Sequence, residues 1–193
     1  MTRGSALLVD LDGTLADTGD ANFAAYATAL EEVGIAIEQD GFDERASGRS
    51  WRQFLPEFLT DAGVNSDPAE IAARKAALYP RYFNLVVING ALVELIRRHR
   101  AIGPVALVTT ASRTNVEAML DHFALRPLFD LVITGDDVDR HKPDPQAYQI
   151  AAERLGVQPG DCLVIEDSDI GVAAGRAFGA PILRLSFPLS RSG

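Results

Sequence analysis

Short apolar runs open the chain and recur through its second half, alternating there with longer stretches of helical periodicity. Ala6–Asp10 and residues 104–109, 129–133, 161–165 and 181–185 are rich in leucine, valine and isoleucine, and Gly, Pro or Asp punctuates them. Apolar runs without polar alternation predict strands covered on both faces. Between them, Ala91–Arg100, Thr114–Phe123, Pro145–Leu155 and Ile170–Phe178 space their apolar residues as helices do. A β-α-β-α-β-α-β series of this kind predicts an α/β fold built on a parallel sheet with right-handed crossovers.

Residues 17–89 break the alternation. Ala21–Val33, Trp51–Ala62 and Asp67–Phe83 read as helices, with Asp67-Pro68 as N-cap and first helical residue, and glycines punctuate the gaps. No strand is expected between Leu15 and Leu85. The division that follows is a sheet domain from residues 1–16 and 90–193, with an all-helical domain, 17–89, inserted after the first strand. No internal repeat is visible, and the chain closes on a short polar tail, Ser190–Gly193.

Open parallel sheets bind ligands beyond the carboxyl ends of their strands, and the polar residues cluster there. The first strand runs into Asp10-Leu11-Asp12-Gly13-Thr14. If the extended conformation continues, residues two apart point the same way and both carboxylates face one site. Such a pair divides the work of a nucleophile, Asp10, and a general acid and base, Asp12. The second strand ends in Thr109-Thr110 before a helix start, where hydroxyls and free N–H groups suit a phosphate oxygen. Lys142, held before Pro143, supplies a compact positive charge. The fourth strand of the series runs into Glu166-Asp167-Ser168 and Gly171. Adjacent carboxylates after a buried strand call for a cation. Magnesium fits, with Asp10, Asp12, Glu166 and Asp167 as the metal set and a backbone carbonyl contributing. Whether Glu166 would bind the ion directly or through water stays open.

Composition narrows the partners. The 193-residue chain carries a net charge of −9, which repels phosphate backbones, so nucleic acid is not expected. Its longest apolar runs, such as Leu85–Ile88, are too short to cross a bilayer, and no secretory signal or anchor motif is seen. A cytoplasmic monomer or small homo-oligomer is expected, without an internal disulfide because Cys162 is the single cysteine. His99 and His122 have no second His or Cys at ligand spacing. Only two of the eighteen basic residues are lysines, Lys75 and Lys142, which marks both for chemistry.

The set Asp10-x-Asp12-Gly13-Thr14, Thr109, Lys142-Pro143 and Glu166-Asp167-Ser168-x-x-Gly171 resembles the haloacid dehalogenase superfamily along the whole chain. The resemblance implies a Rossmann-like doubly wound core with a helical cap at about 17–89. It also implies Asp10 as nucleophile, Asp12 as acid/base, Thr109 and Lys142 as phosphate holders, and Asp167 as a magnesium ligand. The dehalogenase branch lacks the second aspartate that Asp12 supplies. Phosphonoacetaldehyde hydrolases use a lysine early in the cap, and none stands in Gly48–Arg52. The chain looks most like the beta-phosphoglucomutase-like subfamily and its short fructose-1-phosphate phosphatase type. In such caps the positions of Ser50-Trp51-Arg52 and Lys75 contact substrate, and Arg49 is a further candidate. Mutase-like members carry a histidine where Asn22 stands, and Asn22 cannot titrate near neutral pH. The expectation is a magnesium-dependent phosphatase acting on a small phosphorylated metabolite. The alternatives are a phosphomutase and a non-catalytic metabolite-binding regulator.

Overall fold

The computed structural model describes residues 5–46, 48–185 and 187, so the tail expected at Ser190–Gly193 lies outside the described residues. The first half of the chain forms β1 (Ala6–Val9), β2 (Ala16–Asp17), α1 (Gly19–Glu31), α2 (Gln39–Ala46), α3 (Trp51–Ala62), α4 (Pro68–Leu78) and β3 (Val87–Ile88). The second half forms α5 (Gly90–His99), β4 (Val105–Val108), α6 (Arg113–His122), β5 (Leu131–Ile133), α7 (Gln146–Leu155), β6 (Cys162–Glu166), α8 (Asp169–Phe178) and β7 (Ile182–Arg184).

The expected α/β architecture is what the chain forms. Five strands make one parallel sheet in the order β5-β4-β1-β6-β7, with Val9 beside Leu107 on one side and Ile165 on the other. Alternate residues of each strand serve opposite faces. Leu7, Val9, Val105 and Leu107 belong to the same buried cluster as Leu92 and Ile96 of α5 and Met119 and Leu120 of α6. Ala6, Leu8, Ala106 and Val108 join Tyr148 and Ala151 of α7 and Phe178 of α8 in a second cluster. Helical cover on both faces is why these strands show no polar alternation. The chain builds outward from β1 to β5 and then returns to β6, so the strand order reverses beside β1. The carboxyl ends of β1, β4 and β6 meet at that reversal.

Between β1 and α5 lie the helices α1 to α4. α1 packs along α4, and α3 packs on α4. Aromatic rings bind α1, α2 and α3 together: the Tyr26 ring centre is 5.3 Å from those of Phe42 and Phe54. Asp67 accepts the Ala69 N–H at 2.8 Å and Pro68 opens α4, as the sequence leads one to expect.

The expectation of no strand between Leu15 and Leu85 fails at Ala16–Asp17, which pairs antiparallel with Val87–Ile88. Two-residue strands leave no readable period. The helix expected over 67–83 stops at Leu78, and Tyr79–Leu85 continues as a 3-10 turn. Pro80 accounts for the break, since it has no N–H to give to the α-helical ladder. α2 goes beyond the expectation: Phe42 is its buried residue and Gly41 interrupts it, so it has almost no apolar stripe. No helix among the described residues is long and apolar enough to cross a membrane.

Candidate active site

Asp10 follows β1 directly and stays bonded to the sheet, its N–H donating to the Ile165 carbonyl at 3.0 Å. The chain does not then remain extended. The Leu11 carbonyl accepts from Thr14, Leu15 and Ala16, a tight turn that buries Leu11 and brings Asp10 and Asp12 to one cavity. The two carboxylates thus share a site through a turn rather than through strand alternation, which corrects the sequence argument while keeping its result.

Lys142 Nζ lies beneath this cavity, donating to Asp10 Oδ1 at 2.7 Å, Glu166 Oε1 at 2.5 Å and the Val108 carbonyl at 3.0 Å. All three side chains are buried: Asp10 is 6% exposed, Lys142 3% and Glu166 0%. Burial works against the lysine charge, but Asp10, Tyr148 and Glu166 outweigh it and hold the Lys142 pKa well above the ordinary value. Burial, then the Glu166 charge, raises the Asp10 pKa well above the carboxylate range, with Lys142 opposing. Burial, then Glu166, also raises Asp167 to about 6.

Every oxygen of Glu166 is engaged. Oε1 accepts from Lys142 and from the Tyr148 hydroxyl at 2.7 Å, and Oε2 from Asp167 N–H at 3.2 Å and Ser168 Oγ at 3.3 Å. Gly171 makes room for this carboxylate, since a Cβ there would overlap it. Gly171→Ala is therefore expected to cost about 2–3 kcal/mol of stability by overpacking. Gly160→Ala, where no atom lies within 4 Å of the added carbon, serves as the near-neutral control. Urea midpoints of the two variants give the comparison. Gly13, at φ 81°, likewise approaches the Asp167 carboxylate more closely than a side chain would allow.

Asp12 is held from the helical side. Thr18 Oγ1 donates to its Oδ1, as does Asn22 Nδ2 at 3.3 Å. Asn22 Oδ1 in turn accepts from Lys75 Nζ at 2.6 Å. Lys75 is 2% exposed, and its ammonium nitrogen lies 3.7 Å from the Tyr79 ring centre. Burial lowers its pKa from 10.5 to about 7, with the Asp12 charge opposing. Between those two values the unfolded chain carries a proton that the folded chain lacks, so this group makes stability rise with pH across the window. The slope is at most about 1.4 kcal/mol per pH unit. Lys75→Met is expected to remove that slope and to stabilise most at the acid end, as urea unfolding from pH 7 to 10 would read.

The cavity, of about 320 Å³, is lined by Asp10, Asp12, Asn22, Lys75, Lys142 and Asp167 among others. Thr110 lines it too, whereas Thr109 is buried and its Oγ1 accepts the Ala111 N–H at 3.1 Å. Trp51 and Arg49 line it. The Arg49 guanidinium is taken by Glu57, at 2.5 and 3.1 Å, and by the carbonyls of Arg45 and Gln53. Arg52 stacks on Trp51 with its guanidinium carbon 4.5 Å from the ring centre, and pairs with Asp136 at 3.0 Å. Sequence reasoning missed Tyr148 and Asn115. Asn115 lines the cavity, is 9% exposed, and its Oδ1 has no hydrogen-bond partner. A polar residue beside Val116 and one turn before Met119, on the buried stripe of α6, is the signal that would have marked it.

Oxygens of Asp10, Glu166 and Asp167 lie within 4.8 Å of one another. Burial first, and then the Glu166 charge, disfavours the ionised forms of Asp10 and Asp167, and a hard divalent cation would offset both, so the donor set fits one. Glu166 is already saturated, which leaves Asp10 and Asp167 as the carboxylates fitted to direct contact.

A family model described as haloacid dehalogenase-like hydrolase matches residues 5–179. The chain belongs to the haloacid dehalogenase-like hydrolases and is a phosphoric monoester hydrolase among them. It is 32% identical to fructose-1-phosphate phosphatase YqaB of Escherichia coli, over 92% of this chain and 94% of that one. It is also 32% identical to validoxylamine A 7'-phosphate phosphatase of Streptomyces hygroscopicus, over 89% and 81%. Among solved structures, CbbY from Rhodobacter sphaeroides in complex with phosphate superposes with a TM-score of 0.88 at 26% identity, covering 98% of this chain and 89% of that one.

Proposed function

We propose that this hydrolase is a magnesium-dependent phosphatase of small sugar phosphates, working through an aspartyl-phosphate on Asp10, with residues 17–89 as its cap. Lys142 occupies Asp10 Oδ1, which leaves Oδ2 to attack phosphorus. As the Oδ2–P bond forms and the ester P–O bond breaks, Asp12 gives its proton to the departing alkoxide. Asp12 then takes a proton from the water that attacks the phosphoenzyme, and Asp10 is released with inorganic phosphate. Thr18 and Asn22 orient Asp12 through both steps, and Thr110, which lines the cavity, receives a phosphoryl oxygen. A magnesium ion held by Asp10 and Asp167 would offset the charge gathered on the phosphoryl oxygens.

The observation that carries this reading is the buried contact of Lys142 with both Asp10 and Glu166 at the floor of the cavity. The test is phosphate release from a panel of sugar phosphates and phosphoglycolate, with magnesium and with a chelator. Magnesium-dependent release is the expected result, and an intact protein that releases none overturns the proposal. A phosphomutase would share the first half-reaction but return an isomerised sugar phosphate in place of free phosphate, so product analysis in the same assay separates the two.

A further inference from the structure

Sugar phosphates carry one phosphate or two, and the residues around the cavity away from Asp10 decide which kind is accepted. Among the described residues lining it, the cations are Lys142, Arg49 and Lys75. Lys142 is committed to Asp10 and Glu166. Arg49 is closed from both ends, its Nη1 and Nη2 shared between Glu57 and two backbone carbonyls. Lys75 donates to Asn22 and is enclosed by the rings of Tyr26 and Tyr79. Its pKa of about 7 makes it a weak cation near neutrality. Arg52 is turned away to Asp136.

The rest of the lining is acidic or neutral. Asp17 lines the cavity together with Asp10, Asp12 and Asp167, so a second phosphate would meet like charge. Tyr26, Phe42, Trp51 and Phe54 contribute aromatic wall. Such rings suit the apolar C–H face of a sugar. Asn115 also lines the cavity and adds a neutral amide to this wall.

We infer that the cavity selects monophosphate esters of neutral, polyhydroxylated groups over bisphosphates, because the Arg49–Glu57 pair withholds the cation a second phosphate needs. This rests on the phosphatase reading for the end at which the reacting phosphate docks. A second dianion set against like charge and without a donor is disfavoured.

Binding and turnover test it separately. The Asp10→Asn protein is titrated calorimetrically in magnesium buffer with fructose 1-phosphate against fructose 1,6-bisphosphate, and with glucose 6-phosphate against glucose 1,6-bisphosphate. Each monophosphate is expected to bind at least roughly 30-fold more tightly than its bisphosphate. Adding Glu57→Gln, a substitution at a half-exposed site, is expected to free Arg49 and narrow that ratio about fivefold. Bisphosphates that bind as well as monophosphates overturn the inference, as does a ratio that Glu57→Gln leaves unmoved. Absence of binding by all four compounds overturns both the selectivity and the phosphatase reading. A native protein that releases no phosphate while the binding preference persists sinks the phosphatase reading alone. Native turnover of both kinds at equal kcat/KM sinks the selectivity alone.

Discussion

Asp10→Asn is expected to lower phosphate release by about four orders of magnitude or more while leaving the protein folded. The amide is a poor nucleophile, and the neighbouring carboxylates are engaged elsewhere: Glu166 is saturated by Lys142, Tyr148, Asp167 N–H and Ser168, Asp12 is held by Thr18 and Asn22, and Asp167 accepts from Thr14 and is fitted to the cation. The fold survives because Asn keeps the shape of Asp and an acceptor oxygen for Lys142. It also removes a buried carboxylate whose charge burial and Glu166 disfavour. Acid-quench labelling shows the cause directly: phosphate attached to the native chain and none on the variant. A variant retaining a tenth of the activity would remove Asp10 from the nucleophile's role.

Lys142→Met has the second large effect, and it acts on stability as well as rate. The ammonium lies 2.7 Å from Asp10 and 2.5 Å from Glu166, and all three groups are buried. Removing one partner of a buried ion pair leaves an uncompensated charge, at a cost of about 3–5 kcal/mol. Asp10, already raised well above the carboxylate range by burial, loses the charge that opposes that rise, so its protonated form is favoured further in the folded chain. The variant is therefore closest to native at acidic pH and loses ground as pH rises. Activity is expected to fall by roughly a thousandfold or more, since the counter-charge near the reacting phosphate goes with it. Adding Glu166→Gln removes one of the orphaned charges and is expected to restore much of the stability and none of the activity. Urea unfolding of the two single variants and the double variant at two pH values reads both claims.

Most of the sheet was legible because each strand is a short run of aliphatic residues with no polar alternation, and each is followed by a distinctive polar end. Asp10, Lys142 and Asp167 could be placed at one site because the parallel topology brings strand ends together whatever lies between them. The helical segment was less legible. Arg49 and Arg52 have the composition of substrate-binding residues, but their partners, Glu57 eight residues on and Asp136 in the loop after β5, turn both guanidinium groups to structural contacts. Tyr148 gave no local sign that its hydroxyl would reach Glu166, since it reads as an ordinary core residue of an amphipathic helix. Lys75 stood out through the scarcity of lysine, but its burial between two tyrosine rings depends on contacts that no local pattern encodes.

The ribbon of Ala16–Asp17 and Val87–Ile88 carries the two crossings between sheet and helical segment, hydrogen-bonded side by side. Two separate tethers would let the segment shear as well as tilt, whereas a paired ribbon favours one easy motion, rotation about its own short axis. Thr18 and Asn22 sit within a turn or so of that axis, at the start of α1, and they hold Asp12. Trp51 and Arg52, at the start of α3, lie farther along the chain from that ribbon. On the proposed mechanism, the residues that aim Asp12 are thus the ones such a rotation displaces least.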